Sequence, residues 1–321
     1  MKAVQVCKNI KKNIDGKKII TGEIHSVYSR AFNIVLENND FITILSSEKS
    51  ITPNSILLNK KIDFLKLEIN QGSKTYISSN SIVIDDIGIC IEFNNAKEWD
   101  PSPLFSYEKA SESEILHKLE ILEKLIYKYG KLEGIAPVLS NVGTLNKDYK
   151  LFSNTKIEMN EYSIFIIHRL EKFLKYISNN EIDKISDATK QIIGFGPGLT
   201  PSMDDLISGL MLSLVYLIDY YDLDNMKTLN INKLIISEVL NKTTRVSEEM
   251  LKSSSIGECM KDYRNFIISL LSDSNGEELK EKFINAIKFG DTSGTDTICG
   301  IYFGFRTLLN KKNRRLFING A

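Results

Sequence analysis

Two short segments carry the residue types best suited to chemistry. The first, GFGPGLTPSMDDLISGL (residues 194–210), sets Gly194, Gly196 and Gly198 in strict alternation. Two hydroxyls, Thr200 and Ser202, and two adjacent carboxylates, Asp204 and Asp205, follow before an apolar run begins. The second, SGTDTICGI (residues 293–301), repeats part of that plan. Ser202, Asp205, Ile207 and Gly209 in one match Ser293, Asp296, Ile298 and Gly300 in the other, and Gly294 lies beside Ser293. Hydroxyls and backbone N–H groups at a helix start can hold a small anion. Carboxylates beside them can orient those donors, move a proton or hold Mg²⁺. Neither dinucleotide nor P-loop spacing is present, and no lysine follows the last glycine. A third hydroxyl-rich start, TTRVSEEML (residues 243–251), adds Thr244, Arg245 and Ser247. Arginine at a helix N-terminus opposes the dipole, which points to a bound phosphate or carboxylate as its partner.

Each segment alone also reads as a capping box, with the serine on an early N–H and Asp205 or Asp296 reaching back. For the first helix the cap is Thr200 or Ser202; with Thr200 as cap, Pro201 takes the first helical position. Gly209 and Gly300, with Gly304 beyond, form smooth stripes that admit a neighbouring helix. If those stripes pack together with both starts at one end, two positive termini converge, and an anion between them relieves the conflict.

The elements that must position these segments change character near Trp99. Before it, short β-rich runs alternate with turn residues, with hairpin loops expected at Asn38–Asn39–Asp40 and Gln71–Gly72–Ser73. This predicts a small β-barrel or sandwich. Pro101 and Pro103 then interrupt regular pairing, giving an expected division into a β-rich domain at 1–105 and an α-helical domain at 106–321. Helical periodicity follows. Residues 111–130 put Ile115, Leu119, Leu122 and Ile126 on one face and stop at Gly130. Residues 161–178 do the same with Ile164, Ile167, Leu174 and Ile177, and residues 181–194 also look helical. Further helices are expected at 230–241, 245–254, 258–272, 277–288 and 296–309. The fold class is therefore α+β, with no parallel sheet after residue 110.

Composition narrows the function classes. Of 321 residues, 41 are Lys or Arg and 41 are Asp or Glu, so no global charge attracts nucleic acid or an anionic membrane. The longest apolar run is too short to span a bilayer, and the first residues lack a signal-peptide core. Cys7, Cys90, Cys259 and Cys299 show no paired spacing, so no metal site is expected. These features predict a soluble cytoplasmic protein. None of the three histidines lies in the chemical segments. His117 and His168 read as packing or surface residues, and His25 is the one histidine candidate for the site.

GFGPGLTPSMDD, TTRVSEEML and GDTSGTDTICG, with GEIHSVYSRAFNI at residues 22–34, resemble the AllH-like family. Its namesake is a subunit of oxamate carbamoyltransferase in anaerobic allantoin breakdown. Met203 stands where the family has a small glycine, and Thr295 where it has a bulkier residue, which bears on the pocket's size. The resemblance implies phosphorolysis of oxalurate to oxamate and carbamoyl phosphate within purine catabolism. Its ligands would be small anions of the carbamoyl phosphate and oxalurate type, and its partners AllF-like and AllG-like companion subunits. No cofactor is required, although Mg²⁺ is an open option. The expected roles are phosphate binding by Thr244, Arg245, Ser247 and the Gly196–Gly198–Thr200–Ser202 turn. Ser293, Gly294 and Asp296 would face the carbamoyl or oxamate portion, with Asp204, Asp205 and Asp296 as candidate catalytic carboxylates. GTDTICGIYFG also looks like the C-terminal motif of Mg²⁺-dependent ADP-ribosylglycohydrolases, and a non-catalytic anion-binding subunit is a further alternative.

Overall fold

The computed structural model describes residues 1–14, 16, 19–145, 157–223 and 225–309. The chain divides into two compact units, Met1–Ser102 and Pro103–Ala321. Strands fill the first and helices the second, which makes the fold α+β.

Among the described residues the first unit has nine strands: β1 (Ala3–Cys7), β2 (Ile20–Val27), β3 (Ala31–Leu36), β4 (Phe41–Leu45), β5 (Ser55–Leu58), β6 (Lys74–Ile77), β7 (Ser81–Ile84), β8 (Ile89–Glu92) and β9 (Lys97–Trp99). They form one sheet in the order β8-β7-β6-β2-β3-β4-β5-β1-β9. The sheet curls, because a backbone bridge joins Lys2 to Glu92 at the end of β8. Alternating residues such as Phe32, Ile34 and Leu36 point into the enclosed core. The expected hairpin at Asn38–Asp40 joins β3 to β4, with Asn39 in the left-handed region at φ 67°.

Two expectations for this unit fail. KIDFLKLEI at residues 61–69, one of the β-rich runs expected to be a strand, forms none and holds only a 3₁₀ turn at Phe64–Lys66, so Gln71–Ser73 closes no hairpin. Continuing the alternation from buried Phe64 would carry Lys66 and Glu68 onto the core face, and the chain turns instead. Ser73 and Gly72 bond β2 through Ile24. Periodicity also missed α1 (Lys8–Ile14), a short helix that places Ile10 and Ile14 in the core.

The second unit holds α2 (Glu112–Tyr129), α3 (Leu139–Leu145), α4 (Glu161–Ser178), α5 (Ile182–Lys190), α6 (Ser202–Tyr220), α7 (Asn225–Ser237), α8 (Arg245–Ser255), α9 (Lys261–Leu271), α10 (Gly276–Ala286) and α11 (Ser293–Leu309). No strand follows β9 among the described residues. On α4, Ile164 is exposed rather than buried, and Ser163, one step round the helix, takes the inward place. Helix α2 starts with a complete capping box: Ser111 Oγ accepts from the Glu114 N–H, and the Glu114 carboxylate accepts from the Ser111 N–H at 2.6 Å. Ser111→Ala is expected to lower stability by about 1 kcal/mol, read as a shift in the chain's denaturation midpoint.

Helices α6 and α11 are buried almost all round, which makes them the centre of this unit. Their glycines explain how they meet. A methyl group at Gly300 would overlap the Leu206 carbonyl, one at Gly304 would meet Ser213 and the Leu210 carbonyl, and one at Gly209 the Thr297 carbonyl. Leu206 faces Gly300 and Leu210 faces Gly304, so position advances together along both helices. The pair is parallel, and the two N-termini lie side by side.

Candidate functional site

Parallel helices with adjacent N-termini bring like partial charges together, about +0.5 at each end. The first turns carry Asp204 and Asp205 on α6 and Asp296 on α11, so the chain itself supplies negative charge at that end. The early N–H groups are also largely occupied by backbone carbonyls. Met203 donates to Phe195, Asp204 and Asp205 to Pro201, Gly294 to Phe289, and Asp296 to Thr292. Neither capping box forms. Pro201 holds the cap position of α6, Ser202 and Ser293 are first helical residues, and neither Asp205 oxygen accepts a hydrogen bond. A proline there leaves no side-chain acceptor, and the carbonyls of the preceding turns do the capping.

The two adjacent aspartates have opposite surroundings. Asp204 ties three segments together: its carboxylate accepts from the Gly194 N–H at 2.7 Å, from Ser247 Oγ at 2.6 Å and from Thr243 Oγ1. Burial raises its pKa, and those three donors oppose the shift. Asp205 is fully buried, and neither of its oxygens receives a hydrogen bond. Burial, then the charge of Asp296, pushes its pKa well above the usual carboxylate range; the nearby Ser293 and Thr200 hydroxyls only moderate this. Asp296 accepts from the Ile135 N–H at 3.0 Å through Oδ1, while Oδ2 has no partner. Burial pushes its pKa up to about 7, against the opposing pull of nearby Ser202 and Thr292 and the Ile135 and Ala136 N–H groups.

Above these carboxylates, Thr200 Oγ1 and Ser293 Oγ are hydrogen-bonded at 2.9 Å and bridge the two helix starts. The turn that carries Thr200 depends on its glycines. Gly196, at φ 118°, approaches the Ser202 backbone so closely that a Cβ would lie 2.6 Å from its nitrogen, and only glycine fits. Gly198, at φ 93°, is exposed with open space around it. Phe195 anchors the turn by stacking on Phe165 of α4, centroids 5.0 Å apart.

Of the residues singled out from sequence, Thr200, Ser202, Asp204, Asp205, Ser293, Gly294 and Asp296 converge at one end of the α6–α11 pair. Helix α8 reaches the same place through Asp204, but not as expected. Thr244 caps α8 by accepting from the Ser247 N–H and donates to the Leu199 carbonyl. Arg245 turns to its own helix, pairing with Glu249 at 2.9 Å and Glu248 at 3.3 Å. Carboxylates three and four residues on offset the unfavourable dipole, so a local reason for this arginine does exist. Arg245→Ala is therefore expected to cost about 1 kcal/mol of stability, because it strands the buried Glu248; chemical denaturation reads it out. His117 and His168 lie on the surface, and His25 belongs to the first unit, edge-on to Phe41.

Three contributors were missed. The segment after α2 latches onto α11: Lys131 N–H donates to Thr295 Oγ1 at 3.0 Å, and Gly134 passes directly against the Asp296 carboxylate. Asn160 fixes that segment by donating to the carbonyls of Leu132 and Gly134 while capping α4. Tyr263, on α9, is buried with an unpartnered hydroxyl under the influence of both Asp205 and Asp296. Among the described residues no group of three His, Cys, Asp or Glu side chains is placed to hold a metal ion. None of their helices is long and apolar enough to cross a membrane.

Comparison with known families places both units. Residues 192–305, which contain the paired helix starts, match the family model described as oxamate carbamoyltransferase subunit AllH. Residues 2–98 match the AllH family N-terminal domain. No solved structure matches the chain.

Proposed function

This chain belongs to the AllH family, and we propose that it is the anion-holding subunit of a cytoplasmic oxamate carbamoyltransferase in purine catabolism. The reaction is phosphorolysis of oxalurate. A phosphate oxygen bonds to the carbamoyl carbon, the bond from that carbon to the oxamate nitrogen breaks, and the nitrogen takes the proton that phosphate gives up. The products are carbamoyl phosphate and oxamate. The step moves one acyl group and one proton, so it needs positioning more than a protein nucleophile.

The observation that supports this reading most is the convergence of the Thr200–Ser293 bridge and the glycine turn at the paired helix starts. Gly198, Leu199 and Thr200 form the exposed rim of a seat for an anionic group, with Ser293 and Gly294 across from them. Asp204, Asp205 and Asp296 orient the seat from below. Thr243, Thr244 and Ser247 hold the turn in place through Asp204 and Leu199. Lys131, ion-paired to Asp291 at 3.3 Å beside the start of α11, supplies positive charge at the edge. A seat of donors and carboxylates without a complete acid–base set fits a chain that works with companion subunits, which would complete the site or close it against water.

The test is phosphate-dependent conversion of oxalurate, assayed with the purified chain and then with the companion subunits co-expressed. Slow or absent turnover alone and restored turnover in the complex are expected. Within the complex, Ser293→Ala and Thr200→Val are expected to raise KM for phosphate roughly tenfold or more, the worth of one hydrogen bond to a charged group. Full activity from the lone chain would refute the shared site. Unchanged kinetics in both variants would remove these hydroxyls from it.

A further inference from the structure

Beneath the seat the structure gathers side-chain oxygens, three from carboxylates and three from hydroxyls. Six oxygens of buried side chains converge there without hydrogen-bond partners: both from the Asp205 carboxylate, Oδ2 of Asp296, and the hydroxyls of Ser202, Thr297 and Tyr263. All five residues are at most 4% exposed. They come from three helices. Ser202 and Asp205 lie one turn apart on α6, Asp296 and Thr297 on the facing start of α11, and Tyr263 on α9. Ser202 lies close to Asp296, and Tyr263 close to Thr297 and within electrostatic reach of both carboxylates. Leaving one buried polar group unsatisfied costs about 1–3 kcal/mol, so a collection of this size at one point calls for an occupant.

We propose that the Asp205–Asp296 pair, with the hydroxyls of Ser202, Thr297 and Tyr263, binds a monovalent alkali cation, potassium or sodium. The donor atoms are all hard oxygens, which excludes a site built for soft metals. Charge selects the valence. Asp204 is already answered by the Gly194 N–H and the Thr243 and Ser247 hydroxyls, so the Asp205 and Asp296 carboxylates contribute −2 here, and the two helix N-termini together return about +1, leaving roughly one negative charge to neutralise. A single monovalent ion does so, whereas a divalent ion leaves an excess of the opposite sign beside two positive helix ends. The donors here are all buried protein oxygens, whereas Mg²⁺ held by one or two carboxylates usually keeps several waters of its own. A proton competes for the same place, since burial favours the neutral carboxyl, but a proton joins only two oxygens, whereas a cation can contact all six.

The cation site stands independently of the proposed reaction, but it has a consequence for it. An anion seated at Thr200 and Ser293 would otherwise lie above two negative charges in a dry interior, where repulsion is strong. A cation beneath the seat cancels that repulsion, so phosphate affinity should depend on alkali ion.

The experiment is thermal unfolding of the full chain without phosphate, at constant ionic strength, with tetramethylammonium chloride replaced stepwise by potassium or sodium chloride. The expected result is a saturable rise in Tm, reaching roughly 5–10 °C when the ion is at a hundred times its Kd. In the Asp205→Asn, Asp296→Asn double variant that rise should vanish. If the double variant does not fold, Asp205→Asn alone should flatten it. Equal, non-saturating shifts in wild type and variants would overturn the site. So would stabilisation by magnesium or calcium alone, or a Tm that follows pH and ignores the alkali ion. Saturable potassium binding with no binding of phosphate or carbamoyl phosphate in either buffer would uphold the cation site and sink the carbamoyltransferase reading.

Discussion

Gly300→Val is expected to lower the chain's melting temperature by roughly 6–12 °C, corresponding to a loss of about 3 kcal/mol in a unit of this size. The magnitude follows from what the new side chain would meet. Even the Cβ at Gly300 overlaps the Leu206 carbonyl, which belongs to backbone inside a buried helix and cannot swing aside as a side chain would. The α6–α11 pair must then separate, and separation loses contacts along the whole seam from Leu206 to Gly304. Gly209→Val meets the Thr297 carbonyl on the opposite helix and should act in the same direction. At exposed Gly198 an added Cβ meets no atom within 4 Å, so valine there serves as the control, although its positive φ still adds strain. Differential scanning fluorimetry on the three variants checks this. Equal, small shifts for Gly300 and Gly198 would mean that the helices do not touch through their glycines.

The adjacent aspartates should respond in opposite directions to loss of charge. Asp204→Ala removes the acceptor for Gly194, Thr243 and Ser247, and leaves two half-buried donors and the fully buried Ser247 hydroxyl unpaired. The expected cost is about 3–4 kcal/mol, less than the sum of three charged hydrogen bonds because the network relaxes. Asp205→Asn removes a buried carboxylate that the nearby Ser293 and Thr200 hydroxyls only moderate, so in buffer free of alkali ions it should leave stability unchanged or raise it by up to about 2 kcal/mol. Equilibrium denaturation in tetramethylammonium buffer separates the two. A loss at Asp205 as large as that at Asp204 would mean that the Asp205 carboxylate is satisfied by partners within the chain.

The sequence made the large divisions of the fold legible because they rest on local signals. Alternation before Trp99 and helical periodicity after it are properties of neighbouring residues, and the loop at Asn38–Asp40 carries its own turn chemistry. The glycine stripes were readable for the same reason: Gly209, Gly300 and Gly304 recur at helical spacing, and only close packing needs them there. The run around Phe64 misled because its first residues alternate correctly, and the charged residues that end the pattern come later. At the site, the spacing of serine and aspartate located the helix starts but not their electrostatics. Capping by the carbonyls of Phe195 and Phe289 depends on how distant turns fold back, which no spacing rule encodes. The partners of Arg245 were in view, since Glu248 and Glu249 stand at three and four residues' distance. The appeal of a phosphate-binding arginine obscured them. Gly134, Asn160 and Tyr263 reach the site only through tertiary packing, and their own surroundings in sequence give no sign of it.

The central claim is that the paired starts of α6 and α11 hold the anionic ligand of a carbamoyl transfer. A crystal structure of the chain with carbamoyl phosphate tests it most directly. The account predicts ligand density bounded by the Gly198–Thr200 turn on one side and Ser293 and Gly294 on the other, with Arg245 still paired to Glu248 and Glu249. Density centred elsewhere, or a fully occupied ligand held by Arg245 away from Thr200 and Ser293, would contradict it.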